Sequence, residues 1–203
     1  GNGNNWTPNN LSVTAGAGND SLVDTPTSYG TDTSGVGGEV RGNYCTFNAV
    51  DKGSSIGLSN GNLQFVESGG GQDCARATFA IPSSGKWYWE TLLGAVGAGC
   101  NIGIATSSTA LTAGGALTGV LYQFSGYVAI NGWGSSGAYG GAYTTNDVIG
   151  IAVNMDTGTI TFYKNGSSLG AAYSSLSSAI QYFPFFQGTG NTWIANFGQR
   201  AFA

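Results

Sequence analysis

Hydrolysis of a glycosidic bond needs two carboxylates flanking a cleft, and Glu39, Glu67, Glu90, Asp147 and Asp156 form the pool from which this sequence would draw them. Glu90 closes a Trp-rich, strand-like run. Asp147 and Asp156 mark the start and the turn of a hairpin, where aspartate commonly bonds its own backbone. No pair among the five is singled out by spacing. The chain holds no histidine, which removes a Ser-His-Asp triad, a Cys-His pair and a histidine-ligated zinc. Asn154-x-Asp156-x-Gly158 has the opening of a calcium loop but lacks the later bidentate Glu, and it is short enough to be only a turn. Cys45, Cys74 and Cys100 match no zinc or redox spacing, leave at least one thiol unpaired, and read as small buried apolar residues. The expectation is a protein without catalysis, cofactor or metal.

Binding chemistry has a better candidate. The segment Asn131–Tyr143 lies between two strand-like runs and carries Trp133, Tyr139 and Tyr143 on a glycine scaffold. Aromatic faces beside amides and hydroxyls suit the C–H faces of a sugar or a flat protein epitope. The same rings could instead fold back onto the domain or pack on a neighbouring subunit. With Asn131 and Asn191 as nearby hydrogen-bonding groups, the candidate ligand site is Asn131, Trp133, Tyr139, Tyr143 and Asn191. The loops Gly188–Asn191 and Ser107–Gly119 are expected at the same rim. The Asn-x-Ser/Thr strings at Asn5, Asn10, Asn19 and Asn165 are acceptors only in a secretory setting, which nothing in the sequence supports.

The elements that must carry such a site are β-strands. Of the 203 residues 41% are hydrophobic and 12% aromatic, ample for a core, whereas only 8% are charged. The cations Arg41, Lys52, Arg76, Lys86, Lys164 and Arg200 are scattered, which argues against nucleic acid as a partner. No apolar run reaches membrane-spanning length. The only methionine is Met155, so the chain reads as a processed or excised piece of a longer polypeptide. Residues 1–43, rich in Gly, Asn, Ser and Thr, have few periodic apolar positions and read as an extended arm or linker.

From residue 44 to 203 the pattern changes to short strand-like runs broken by turn dipeptides, the signature of an all-β sandwich. Strands are expected at Tyr44–Asn48, Asn62–Val66, Ala75–Ile81, Lys86–Leu93, Cys100–Thr106, Val120–Phe124, Tyr127–Asn131, Asp147–Met155, Thr159–Lys164, Tyr182–Gln187 and Thr192–Phe197. At most a short helical turn is expected near Ser174–Ser178. Asp156-Thr157-Gly158 and Asn165-Gly166 signal hairpins, the latter suiting a type I′ turn. Trp87 and Trp89 share one strand face and are expected in the core, with Tyr88 pointing the other way.

Five ordered landmarks carry a family likeness: Gly85-Lys86-Trp87-Tyr88-Trp89-Glu90, Asn101-Ile102-Gly103-Ile104-Ala105-Thr106, the long run Asp147–Gly166, Tyr182-Phe183-Pro184 and Asn196-Phe197-Gly198. Together they resemble a SPRY domain, the core of B30.2-like modules. That resemblance implies a bent antiparallel β-sandwich, of the concanavalin-like jelly-roll kind, that binds a protein or peptide through loops at one end. The loops here are Gly, Ser, Ala and Tyr rather than charged and proline-bearing, so no ligand-contact residue is carried over from the family.

The arm, with Gly1-Asn2-Gly3-Asn4-Asn5-Trp6-Thr7-Pro8-Asn9-Asn10, Asn19–Thr27 and Gly42-Asn43-Tyr44-Cys45-Thr46, is similar to segments that precede SPRY modules in virion proteins of tailed bacteriophages. This narrower resemblance implies a structural part of a capsid or tail fibre on the virion surface. Its partners would be other virion proteins or copies of itself and a host-surface glycan or protein, with no nucleic acid and no membrane insertion. The alternatives are a cellular SPRY module for protein or peptide and, remotely, a glycan-active enzyme.

Overall fold

The computed structural model describes residues 45–95, 97, 99–112, 115–199 and 201–202. The arm expected over residues 1–43 lies outside them. The chain divides into two units, and the second, Cys45–Phe197 with Phe202–Ala203, is the β-sandwich.

Fourteen strands follow one another: β1 (Phe47–Lys52), β2 (Ile56–Ser59), β3 (Gln64–Glu67), β4 (Asp73–Ala77), β5 (Lys86–Ala95), β6 (Asn101–Thr106), β7 (Gly119–Gln123), β8 (Tyr127–Ile130), β9 (Gly137–Ala138), β10 (Val148–Asn154), β11 (Thr159–Lys164), β12 (Ser167–Tyr173), β13 (Tyr182–Gly188) and β14 (Thr192–Asn196). They form two antiparallel seven-stranded sheets, ordered β1-β4-β13-β6-β7-β8-β9 and β12-β11-β10-β5-β14-β3-β2. The all-β expectation holds, and among the described residues there is no helix, including at Ser174–Ser178.

Strand alternation builds the core. In the second sheet Trp89, Ile151 and Phe162 are register partners in sequence across β5, β10 and β11, and all three are buried. In the first sheet Ile102, Tyr122 and Phe186 are likewise partners across β6, β7 and β13 and face the same interior. Alternate residues of that sheet, Cys74, Ala105, Leu121, Ala129 and Phe185, turn to its other face and form a second, smaller apolar cluster with Leu117, roofed by Leu111 and Trp133. Trp87 departs from expectation: it lies on the inner side of β5 opposite Val153 but remains 41% exposed, because it sits at the strand's end, with Nε1 donating to Ser84 O at 2.9 Å.

The Asp156-Thr157-Gly158 and Asn165-Gly166 hairpins are present, with Gly158, Asn165 and Gly166 all at positive φ (66°, 50° and 77°). Three strands go beyond the expectation. β2 (Ile-Gly-Leu-Ser) alternates but is only four residues long, β12 is an edge strand of mostly small and polar residues, and β9 is two residues long. Gly150 matters for packing, since a Cβ there would collide with the Tyr88 ring that lies across it on the outer face of the second sheet.

Candidate functional site

Strand direction sorts the loops into two ends. β3, β5 and β13 finish at the end where β4, β6 and β14 begin, so the β1–β2 turn, the β3–β4 loop, the β5–β6 loop and the β13–β14 loop gather there. These loops are held by one polar hub. Glu67 is 1% exposed, and its carboxylate accepts from Gly69 N–H at 3.0 Å and from Gly190 N–H at 2.7 Å. The Ser55 hydroxyl lies 2.8 Å from Glu67 Oε1 and 2.6 Å from Asp73 Oδ2, while Ser55 N–H donates to Asp73 Oδ2 at 2.9 Å. Thr189 Oγ donates to Gly71 O at 3.0 Å, and Glu67 N–H donates to Asn191 O at 3.0 Å. A Cβ on Gly97 would fall on the Thr189 carbonyl, so the β5–β6 loop can lie this close only because the residue is glycine.

Buried carboxylates satisfied by backbone N–H groups and a hydroxyl fix these loops without presenting charge. What they expose is Ser54, Ser68, Gly69, Gly70, Gly71, Gln72 and Gly190. That is a surface of hydroxyl, amide and bare backbone groups, suited to hydrogen bonding with an extended chain. Among the described residues no cluster of three or more His, Cys, Asp or Glu could hold a metal ion. Burial pushes the Cys74 and Cys100 thiols up, away from the reactive thiolate form.

The five residues expected to bind ligand do not converge. Tyr143 is a core residue, 1% exposed, with its hydroxyl donating to Cys100 O at 2.8 Å and lying 3.1 Å from Tyr122 O. Burial holds that phenol well above its ordinary pKa. Tyr139 packs edge-on against Tyr122 and Phe162, and its hydroxyl bonds into the β11–β12 ladder. Trp133 is half-buried over the second apolar cluster, beside Phe185, with Nε1 donating to Gly115 O at 2.6 Å. Asn131 is exposed on the β8–β9 turn, and its Oδ1 accepts from Gly119 N–H at 3.1 Å.

Asn191 belongs to the gathered loops but is 1% exposed, with Nδ2 turned to Gln187 O at 3.5 Å. The expected rim therefore separates. The glycines around Trp133, Tyr139 and Tyr143 let the chain fold these rings inward, where apolar area is buried and each polar tip finds a carbonyl. The Ser107–Gly119 loop leaves β6 at the opposite end and turns back over the outer face of the first sheet, where Leu111 O accepts from Cys74 N–H at 2.8 Å. Sequence reasoning missed the hub: Glu67, Asp73 and Ser55 are separated along the chain, and only the β2–β3 and β4 pairings bring them together.

Comparisons with known proteins agree with this architecture. The sequence model of the SPRY domain matches residues 86–200. Ran-binding protein 10 of Danio rerio is 34% identical over 163 residues, covering 75% of this chain and 27% of its own length. Human Ran-binding protein 9 is 36% identical over the same length, covering 75% of this chain and 22% of its own. The chain thus spans about a quarter of the curated relatives it matches. Among solved structures, the SPRY domain of human HERC1 superposes with a TM-score of 0.60 at 19% identity, covering 76% of this chain and 99% of that one. The TRIM65 PSpry domain does so with a TM-score of 0.54 at 15% identity, covering 76% and 92%. These relatives are Ran-binding proteins rather than virion proteins, so the bacteriophage resemblance of the arm gains no support from them. On the family match over more than half of its residues, and on the fold, this chain belongs to the SPRY domain family.

Proposed function

We propose that this chain is a non-enzymatic binding module that takes a protein or peptide on the loop end organised by Ser55, Glu67 and Asp73. The observation that carries the reading is the hub itself, which holds turns from both sheets in one arrangement while leaving uncharged donors and acceptors exposed. A preorganised surface loses little entropy when an extended segment adds hydrogen bonds to it. The relatives carry Ran binding in their names, which supports a protein ligand as a class and favours a cellular module over a part for virion attachment. The engagement of Trp133, Tyr139 and Tyr143 in packing weakens the glycan-stacking reading.

The test is selection of peptides from a displayed library against the full chain, followed by titration of a selected peptide. Ser54→Arg with Ser68→Arg places bulk on the exposed loops without touching a hub atom. Loss of binding at an unchanged melting temperature supports the reading. Undiminished binding moves the ligand elsewhere on the sandwich.

A further inference from the structure

Among the described residues the dipeptide Asn-Gly occurs at 60–61, 131–132 and 165–166, each with the asparagine at positive φ (52°, 48° and 50°). All three are sites where the glycine nitrogen, unhindered by a side chain, can attack the preceding side-chain amide. That nitrogen loses its proton and bonds to Asn Cγ. The Cγ–Nδ2 bond breaks, and ammonia leaves with that proton. Solvent water then opens the cyclic imide at either carbonyl, giving aspartate or isoaspartate. The reaction is redox-neutral and needs only water, so its rate at each site depends on how freely the side chain can swing Cγ over the next nitrogen.

The three side chains differ in that freedom. Asn165 is clamped at both ends: Oδ1 accepts from Val148 N–H at 2.8 Å, and Nδ2 donates to Asp147 Oδ1 at 2.7 Å. Its own N–H donates to Val148 O at 2.8 Å. Asp147 is fixed in turn by Thr144 N–H at 2.7 Å and Lys164 Nζ at 3.2 Å. The Asn131 side chain is held once, with Oδ1 accepting from Gly119 N–H at 3.1 Å, while its own N–H donates to Gly119 O at 2.9 Å, at the end of the β7–β8 pair. Among the described residues the Asn60 side chain makes only a solvent-exposed bond, from Nδ2 to Gln64 Oε1 at 2.6 Å, and a Cβ at Gly61 would meet nothing within 4 Å. Exposed bonds of this kind exchange readily with water.

We propose that Asn60 is a site of spontaneous deamidation in this protein and that Asp147 guards Asn165 against the same reaction. Conversion at Asn60 adds a negative charge, and the isoaspartate form reroutes the backbone through a side-chain methylene. The affected turn is not idle: Phe47 N–H donates to Asn62 O at 2.8 Å, and Ala195 N–H donates to Leu63 O at 2.8 Å. Conversion therefore loosens the points where β1 and β14 meet the β2–β3 hairpin. Conversion at Asn165 would set a carboxylate against Asp147 and open the β9–β10 connection, which is the outcome the clamp prevents.

The experiment incubates the full chain at neutral pH and physiological temperature and follows each Asn-Gly by proteolytic peptide mapping, with mass spectrometry and isoaspartate detection. The wild type is expected to convert Asn60 severalfold faster than Asn131 or Asn165. Asp147→Ala is expected to raise the Asn165 rate severalfold while leaving Asn60 and Asn131 unchanged, and Asp147→Asn, which keeps an acceptor oxygen, restores most of the protection. Equal rates at the three sites, or Asn60 slower than the others, would overturn the first part. An Asn165 rate indifferent to Asp147→Ala, or one that rises together with Asn131 through general opening and is not restored by Asp147→Asn, would overturn the second.

Discussion

The hydroxyl of Tyr139 accepts a hydrogen bond from Phe162 N–H at 3.1 Å and donates to Gly170 O at 2.5 Å, so a side chain following β9 completes the β11–β12 ladder where its register shifts. One phenol thereby ties the edge of one sheet to the edge of the other. Tyr139→Phe keeps the ring packing on Tyr122 and Phe162 and removes only these two hydrogen bonds. A loss of about 1–2 kcal/mol in urea unfolding is expected, with faster amide exchange at Phe162. Unchanged stability and exchange would show that solvent satisfies the ladder at this point.

How far the sequence could be read is clear from the same residues. Ile149, Ile151, Val153, Ile160 and Phe162 announce the β10–β11 hairpin by strict alternation, and all are buried. β12 escapes because Ser167–Tyr173 has little apolar signal and owes its strand to the Asn165-Gly166 turn and to pairing with β11. Tyr139 and Tyr143 were legible as large amphipathic side chains on a flexible scaffold, but their direction was not. Burial against Tyr122 and Trp193 is a tertiary fact that no local spacing encodes. The Glu67–Ser55–Asp73 hub was illegible for the same reason.

Arg76 is 2% exposed and packs over the Phe185 ring, with Nε donating to Thr106 O at 3.0 Å, Nη2 to Ser107 O at 3.0 Å and to Thr109 O, and Nη1 to Asp51 Oδ1 at 2.7 Å. It pins the start of the β6–β7 loop that roofs the second apolar cluster. Arg76→Ala leaves Asp51 and three carbonyls without their donor, and about 3–5 kcal/mol of destabilisation is expected. Asp51→Asn, changing the half-exposed partner, is expected to cost under about 1 kcal/mol. Thermal melts of the two variants check the ordering; comparable losses would mean that the ion pair, rather than the carbonyl contacts, dominates.

Asp147 supplies a pH dependence. Burial alone would raise its carboxyl pKa, but hydrogen bonds from Asn165, Thr144 and Lys164, together with the Lys164 charge, outweigh it and hold the group below the ordinary aspartate value. A depressed folded-state pKa stabilises the fold above the unfolded value, about 3.9, and that contribution is lost as pH falls through the lower folded value. The melting-temperature gap between wild type and Asp147→Asn should therefore stay constant above about pH 5 and close below about pH 4. A gap that persists in acid would assign the effect to packing.

We propose the loop end organised by Ser55, Glu67 and Asp73 as the binding surface. Amide hydrogen exchange of the full chain, with and without a selected peptide at saturation, decides the matter. Protection confined to the loops around residues 54–55, 68–72 and 189–190 is the expected result. Protection centred on Asn131–Ser136, or on the outer face around Tyr88 and Tyr163, with those loops unaffected, would contradict it.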